Sequence, residues 1–241
     1  MEPKKSSRIK KIVLDQLAVL SIELVVVVVL SILAILAFYK ISSLLIAMEI
    51  AAFDETTYQF IKAFSSHFLD KYMHFATFLG NRQFIVFLGL GLMGYYLFIR
   101  PHRWYSIKIP AVAIGSISAN LILKEIYDRA RPTAFQMIEA SGLSFPSGHA
   151  MFNLSFYGLL IYIIHKEFKN KTIKYLSIFI LSILILSIGI SRIYLGVHYA
   201  SDVLAGFCAG FLWLTIALFV TNKIERDIKR KQEKLAKNNE S

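Results

Sequence analysis

Six long apolar stretches constrain this 241-residue chain more than any other feature of its sequence. The last one has the ~20 residues that an α-helix needs to cross a ~30 Å hydrocarbon core, and the uncharged cores of the others are a few residues shorter. A soluble helical bundle would need a polar stripe on each helix, and these stretches have almost none. The sequence therefore predicts an all-α fold, a six-transmembrane-helix bundle forming a single domain over residues 1–241. The predicted spans centre on Leu24–Tyr39, Phe84–Ile99, Ile109–Leu123, Ala150–Ile164, Tyr175–Ser191 and Val203–Asn222.

The composition supports a membrane protein. Apolar residues make up 56% of the chain and charged residues 18%, whereas about a quarter of the residues in an ordinary soluble domain are charged. This balance argues against a soluble enzyme and against disorder. The single cysteine, Cys208, cannot form an internal disulfide.

The net charge of +11 has a distribution that indicates topology. Most of the 27 Lys and Arg residues fall in the N-terminus, the second and fourth inter-helix loops and the basic tail 223–241. Since basic residues concentrate in cytoplasmic loops, both termini are expected in the cytoplasm. The charge then gives no support to a nucleic-acid partner. An integral protein of a bacterial inner membrane, in contact with membrane lipids, fits this pattern.

The outer segment between the first two spans, residues 41–83, carries an amphipathic pattern. Its apolar residues step by three or four positions, as on one face of a helix. Such a helix can lie at the membrane interface beside a lipid entrance, or it can pack against the spans. Apolar helical stripes are usually core, which favours packing. The stripe consists of Ile61, Phe64, Phe68, Tyr72 and Phe75.

The predicted outer loops and their flanking helix ends hold three groups of polar residues on one side of the membrane. The groups are Lys124…Arg131-Pro132, then Pro146-Ser147-Gly148-His149, then Ser191-Arg192…His198…Asp202. Arg129 lies within the first group and is interpreted as a local partner of Asp128.

The cations of these groups suit a dianionic phosphate. Arg131 and Arg192 present planar forks that match phosphate oxygens, and Lys124 acts as a point charge. Ser147 and Gly148 stand where the fourth span begins, and backbone N–H groups at a helix N-terminus bind anions. Ser147 can also cap that helix or donate to a phosphate oxygen.

The two histidines suit nucleophilic and acid catalysis. A spacing of four residues places His198 and Asp202 on one helical face. Asp202 can then accept the Nδ1 proton of His198, which leaves Nε2 free to attack. His149 would protonate the departing oxygen as a general acid.

Zinc binding is the competing use of two histidines and an aspartate. Three nearby cations would oppose a divalent ion, and they can neutralise charge as a metal does elsewhere. We therefore expect no metal and no cofactor.

These residues resemble the three signatures of the type-2 phosphatidic acid phosphatase (PAP2) superfamily. The signatures K-x6-R-P, P-S-G-H and S-R-x5-H-x3-D match at every specified position between residues 124 and 202, in the right order. The branch that the chain resembles is that of bacterial membrane phosphatases acting on phosphatidylglycerophosphate or undecaprenyl diphosphate. The six predicted spans extend the resemblance to nearly the whole chain.

The resemblance implies a lipid phosphatase with a phosphohistidine intermediate. It assigns His198 as nucleophile, His149 as acid and Asp202 as the residue that orients His198. It assigns phosphate binding to Lys124, Arg131, Ser147, Gly148 and Arg192. The expected substrate is a lipid phosphate such as phosphatidic acid, phosphatidylglycerophosphate or a polyprenyl diphosphate, and a lipid A or sphingoid phosphate also stays open. The alternative is a transporter or scaffold that binds lipid phosphates without turnover. The sequence leaves the oligomeric state open.

Overall fold

The protein is all-helical in its computed structural model, which describes residues 3–133 and 136–239. No strand occurs within these two ranges, so the predicted all-α class is confirmed. A π-helical turn, Tyr95–Ile99, continues the fourth helix. The helices are α1 (Pro3–Ile46), α2 (Ala51–Lys62), α3 (His67–Leu79), α4 (Arg82–Gly94), α5 (Arg103–Tyr127), α6 (Gly148–Glu167), α7 (Lys171–Tyr194) and α8 (Ala200–Asn239).

Five helical segments within the described ranges are long and apolar enough to cross a membrane. The sixth predicted stretch forms α6, which is less apolar than these five. Helix α6 packs against α5, α7 and α8 and buries polar residues such as Asn153 and Ser155. A helix enclosed by other helices needs little lipid-facing surface, which explains its more polar sequence. The five segments are Ile22–Ile46, Arg82–Ile99, Arg103–Tyr127, Lys171–Tyr194 and Ala200–Ala236.

The segment between the first two spans differs from its prediction. It forms two helices instead of one, because Ser66 caps the start of α3 by accepting a hydrogen bond from the Leu69 N–H at 3.2 Å. The predicted stripe is not the packed face, since the rings of Phe64, Phe68 and Phe75 are exposed. Helix α3 instead packs against α7 through other residues, Met73 and Ala76 among them. The exposed rings lie on the surface, where they can contact lipid.

One end of the bundle gathers the C-termini of α5 and α7 and the N-termini of α6 and α8. Helix α1 runs towards this end, since Glu23 lies 4.0 Å from His165 late in α6 and the ring of Phe38 lies 5.9 Å from that of Phe145. The N-terminus of α1 and the C-terminus of α8 therefore both lie at the opposite end.

Two glycines bring the backbones of α6 and α8 into contact at this end. A Cβ atom on Gly206 would lie 2.6 Å from the carbonyl oxygen of Ser147, and one on Gly210 would lie 2.6 Å from that of Met151. Small residues allow helices in membranes to approach this closely. The first turn of α6 is thereby fixed against the start of α8.

Candidate active site

A cavity of about 600 Å³ opens at the end of the bundle where these four helix termini meet. The structure brings all eight predicted site residues together there. Ser147 and Asp202 are fully buried behind the cavity wall. The other six line it: Lys124, Arg131, Gly148, His149, Arg192 and His198.

His198 lies in the short connection between α7 and α8, and its ring is held from the Nδ1 side. Nδ1 lies 3.4 Å from Oδ2 of Asp202 and 3.3 Å from Oγ of Ser144. The Ser144 hydroxyl donates to the same Oδ2 at 2.5 Å, so its oxygen is free to accept from Nδ1. Both neighbours therefore favour the tautomer with the proton on Nδ1, which leaves the Nε2 lone pair unprotonated.

The environment of His198 keeps its imidazole neutral. Burial lowers the pKa of His198 to about 4, against the raising effect of its hydrogen bond to Asp202 and of the Asp202 charge. The charges of Arg131 and Arg192 lower this pKa further. At neutral pH the imidazole is thus uncharged, which is the form whose unprotonated nitrogen can act as a nucleophile.

Two of the predicted cations are fixed by main-chain carbonyls at the cavity edge. Arg131 donates from Nη1 to the Val197 carbonyl at 2.9 Å and from Nε to the Gly142 carbonyl at 3.0 Å. Its Nη1 also lies 3.0 Å from Nε2 of His198. Lys124 donates to the carbonyl of Leu143. Arg131 therefore stands beside Nε2 of His198, and Lys124 lines the same cavity.

Arg192 enters the cavity wall from the last turn of α7. Its side chain is 5% exposed, and Nη1 donates to Oγ1 of Thr77. Its Nε is buried and finds no hydrogen-bond partner within residues 3–133 and 136–239. A buried donor without a partner costs about 1–3 kcal/mol, and an anionic oxygen in the cavity would remove that cost.

The start of α6 forms another part of the cavity wall. Ser147 accepts a hydrogen bond from the Ala150 N–H at 3.5 Å, as expected of a cap, and its own N–H donates to the Asp202 carbonyl at 2.9 Å. The next two residues, Gly148 and His149, line the cavity. The first turn of a helix carries backbone N–H groups without helical partners, which suit an anion.

Sequence reasoning missed part of this site. The predicted Arg129–Asp128 pair is wrong, because Arg129 forms salt bridges with Asp202 at 2.6 Å and with Asp54 at 2.7 Å. Asp54 belongs to α2 and lies 75 residues earlier in the chain, so no local pattern could have pointed to it. Arg82, at the start of α4, adds a further cation to the cavity wall.

Comparisons with known proteins identify relatives of this chain. Residues 104–226 match the model of the PAP2 superfamily. Phosphatidylglycerophosphatase B of Bacillus subtilis (strain 168) is 32% identical over 162 residues, which span 66% of this chain and 78% of that protein.

Two solved structures have the same fold. The crystal structure of a transmembrane PAP2-type phosphatidylglycerolphosphate phosphatase from Bacillus subtilis superposes with a TM-score of 0.70 at 28% identity, covering 80% of this chain and 96% of that one. The crystal structure of Aquifex aeolicus LpxE superposes with a TM-score of 0.55 at 23% identity, covering 69% and 94%. With three complete signatures around one cavity and a family match over half of its length, the chain belongs to the PAP2 superfamily.

Proposed function

We propose that this membrane protein removes phosphate from a lipid phosphate monoester or diphosphate, without a metal ion, through a phosphohistidine on His198. The observation that carries the proposal is the environment of this one imidazole. Its Nδ1 faces the Asp202 carboxylate, and its Nε2 stands at a cavity wall lined with Lys124, Arg131 and Arg192. A neutral nucleophile beside fixed positive charges is the arrangement that transfer of a phosphoryl group requires.

The reaction proceeds in two steps. In the first, Nε2 of His198 attacks phosphorus, the P–N bond forms, and the P–O bond to the lipid breaks. His149 gives its proton to the departing lipid oxygen. The Asp202 carboxylate stabilises the positive charge that His198 acquires when it carries the phosphoryl group.

In the second step, water attacks the same phosphorus. His149, now neutral, takes a proton from this water. The P–N bond breaks, inorganic phosphate leaves, and His198 returns to its neutral form. The cations around the cavity stabilise the charge on the phosphoryl oxygens in both steps.

The substrate is a lipid, since the site sits in a bundle of apolar helices. The Bacillus subtilis relative is named a phosphatidylglycerophosphatase, which supports phosphatidylglycerophosphate as one substrate. Phosphatidic acid and polyprenyl diphosphates present the same reacting group.

We place the site at the outer face of the membrane, with six spans and both termini in the cytoplasm. The positions of the basic residues support this orientation. The arrangement of α1 and α8, whose terminal ends lie away from the cavity, agrees with it. Helix α6 counts as the sixth span because it packs in the centre of the bundle between α5, α7 and α8.

Phosphate release in the presence of EDTA tests the proposal. Detergent-purified protein is incubated with phosphatidylglycerophosphate, phosphatidic acid and a polyprenyl diphosphate, and inorganic phosphate is measured. We expect release from at least one lipid at a rate that EDTA leaves unchanged, because the fixed cations take the place of a metal. Loss of release with EDTA, restored by Mg²⁺ or Zn²⁺, would show a metal-dependent enzyme. No release from any lipid, with the protein folded, would show a lipid-phosphate binder or transporter.

Replacement of Arg192 by glutamine should slow the reaction by about 100- to 1000-fold, as expected for loss of one preorganised donor. The glutamine keeps an amide donor but removes the positive charge and the two Nη groups. The measurement is kcat/KM with the best lipid of the panel. Arg230→Gln, an exposed position late in α8, is the matched control and should keep the wild-type value. If Arg192→Gln were as active as this control, Arg192 would not be part of the phosphate site.

A further inference from the structure

A buried line of charged groups connects the outer helix α2 to the catalytic aspartate. Among the residues of α2, Ala51–Lys62, only Asp54 is buried, with 3% of its surface exposed. Its Oδ2 lies 2.7 Å from Nη2 of Arg129 and also accepts a hydrogen bond from the Ser201 hydroxyl at 2.8 Å. Its Oδ1 accepts from the Ser201 N–H at 2.8 Å. The Asp54 carboxylate is therefore held by three donors.

Arg129 continues this line to the site. Its Nη1 donates to Oδ1 of Asp202 at 2.6 Å and to Oγ of Ser201 at 2.8 Å. The guanidinium carbon lies 3.9 Å from the ring centroid of Tyr199. A planar guanidinium with both ends paired and one face covered has little freedom to turn.

The two carboxylate oxygens of Asp202 have different partners, one on the side of Arg129 and the other on the side of His198. Oδ1 is bound by Arg129, whereas Oδ2 faces Nδ1 of His198 and accepts from Ser144 and from the Tyr199 N–H at 2.9 Å. The carboxylate is planar, so the fixed position of Oδ1 determines where Oδ2 stands. Arg129 thereby sets the direction in which Asp202 holds the imidazole.

The second carboxylate has a separate electrostatic effect. If Asp54 were uncharged, the full positive charge of Arg129 would act on Asp202 in a buried site where charge interactions are strong. Asp54 neutralises part of that charge, so that less of it opposes the stabilisation that Asp202 gives to a phosphorylated, positively charged His198.

We propose that Asp54 and Arg129 are positioning residues for phosphoryl transfer, which act on His198 through Asp202. This inference rests on the proposed function, because its readout is hydrolysis. The inference connects α2, a helix outside the three signatures, to His198. The rate of hydrolysis should therefore depend on the position of α2.

A second buried salt bridge provides a matched control. Lys108 is 2% exposed and lies 2.7 Å from Oε2 of Glu225, at the end of the bundle opposite the cavity. The Lys108–Glu225 pair has the same N–O distance as the Asp54–Arg129 pair, but it does not contact the site. Glu225→Gln should therefore lower the melting temperature and leave kcat unchanged.

The test compares Asp54→Asn and Arg129→Lys with Glu225→Gln. Asn preserves the shape of Asp54 and removes its charge. Lys preserves the charge of Arg129 but lacks the planar fork whose two ends hold Asp202 and Asp54. We expect kcat to fall about 10- to 100-fold in both site variants, as for other groups that orient a reacting residue. KM and inhibition by inorganic phosphate should stay within about threefold, since neither residue lines the phosphate cavity. Should one variant fail to fold, the other still decides the question.

A double-mutant cycle separates positioning from a general structural effect. If Asp54 acts through Asp202, adding Asp54→Asn to Asp202→Asn should cause little further loss of kcat, because the effects of coupled residues are not additive. Additive losses, or an Asp54→Asn variant with the kcat of Glu225→Gln, would overturn the inference. Absence of hydrolysis by the wild-type protein would instead overturn the proposed function.

Discussion

Replacement of His198 by alanine is expected to abolish phosphate release, with a loss on the order of 10⁶-fold, as when an enzyme loses its nucleophile. Alanine removes the Nε2 atom that forms the P–N bond, while the cavity and its cations remain. The wild-type protein, quenched during turnover of a ³²P-labelled lipid, should carry phosphate that is stable in alkali and labile in acid, as a phosphohistidine is. The His198→Ala variant should carry none.

The control for this experiment is a histidine outside the site. His74 is exposed on α3, and His74→Ala should keep both the wild-type rate and the label. Binding of inorganic phosphate to His198→Ala shows that the site is still formed. Turnover by His198→Ala within about tenfold of the wild-type rate would exclude His198 as the nucleophile.

Replacement of His149 by alanine should slow lipid hydrolysis by about 10²- to 10⁴-fold, the usual contribution of a positioned acid. The effect should depend on the leaving group, because a lipid alkoxide needs a proton and a nitrophenolate does not. With p-nitrophenyl phosphate the first step should stay fast. The second step should be slow, because His149 also activates the water.

The measurement is the time course of nitrophenolate release. His149→Ala should give a burst of about one nitrophenolate per protein molecule, followed by slow turnover, as the phosphohistidine accumulates. The His198→Ala variant should give no burst. Equal losses with the lipid and the aryl phosphate, without a burst, would mean that His149 does not exchange protons with the leaving group or the water.

The helical class and the members of the site could be predicted from the sequence because both depend on local patterns. Apolar runs of nearly 20 residues indicate spans. The spacing of four residues correctly predicted that His198 and Asp202 lie close together, but they do not share a helical face, because His198 precedes the start of α8. The structure places all eight predicted residues at one cavity. Their roles stay predictions that the variants above test.

The rest could not be predicted because it depends on contacts between distant segments. Asp54 lies in a helix whose pattern gives no reason to single out one acidic residue, and its partner Arg129 is 75 residues away. The apolar stripe of residues 61–75 was expected to pack against the spans, but in a membrane protein an apolar helix face can also contact lipid. Helix α6 is more polar than its neighbours for the related reason that protein surrounds it.

The glycine contact between α6 and α8 has a consequence for the range of lipids that the protein can process. Because Gly206 and Gly210 touch the backbone of α6, the two helices cannot slide past each other without a clash. His149 on α6 and His198 before α8 therefore keep their separation whichever acyl or prenyl chain lies outside the cavity. Chain length and branching should then alter how tightly a lipid is held and leave the bond-breaking step unaffected. A phosphatase with this rigid contact can hydrolyse several kinds of lipid phosphate in one membrane at a single active site.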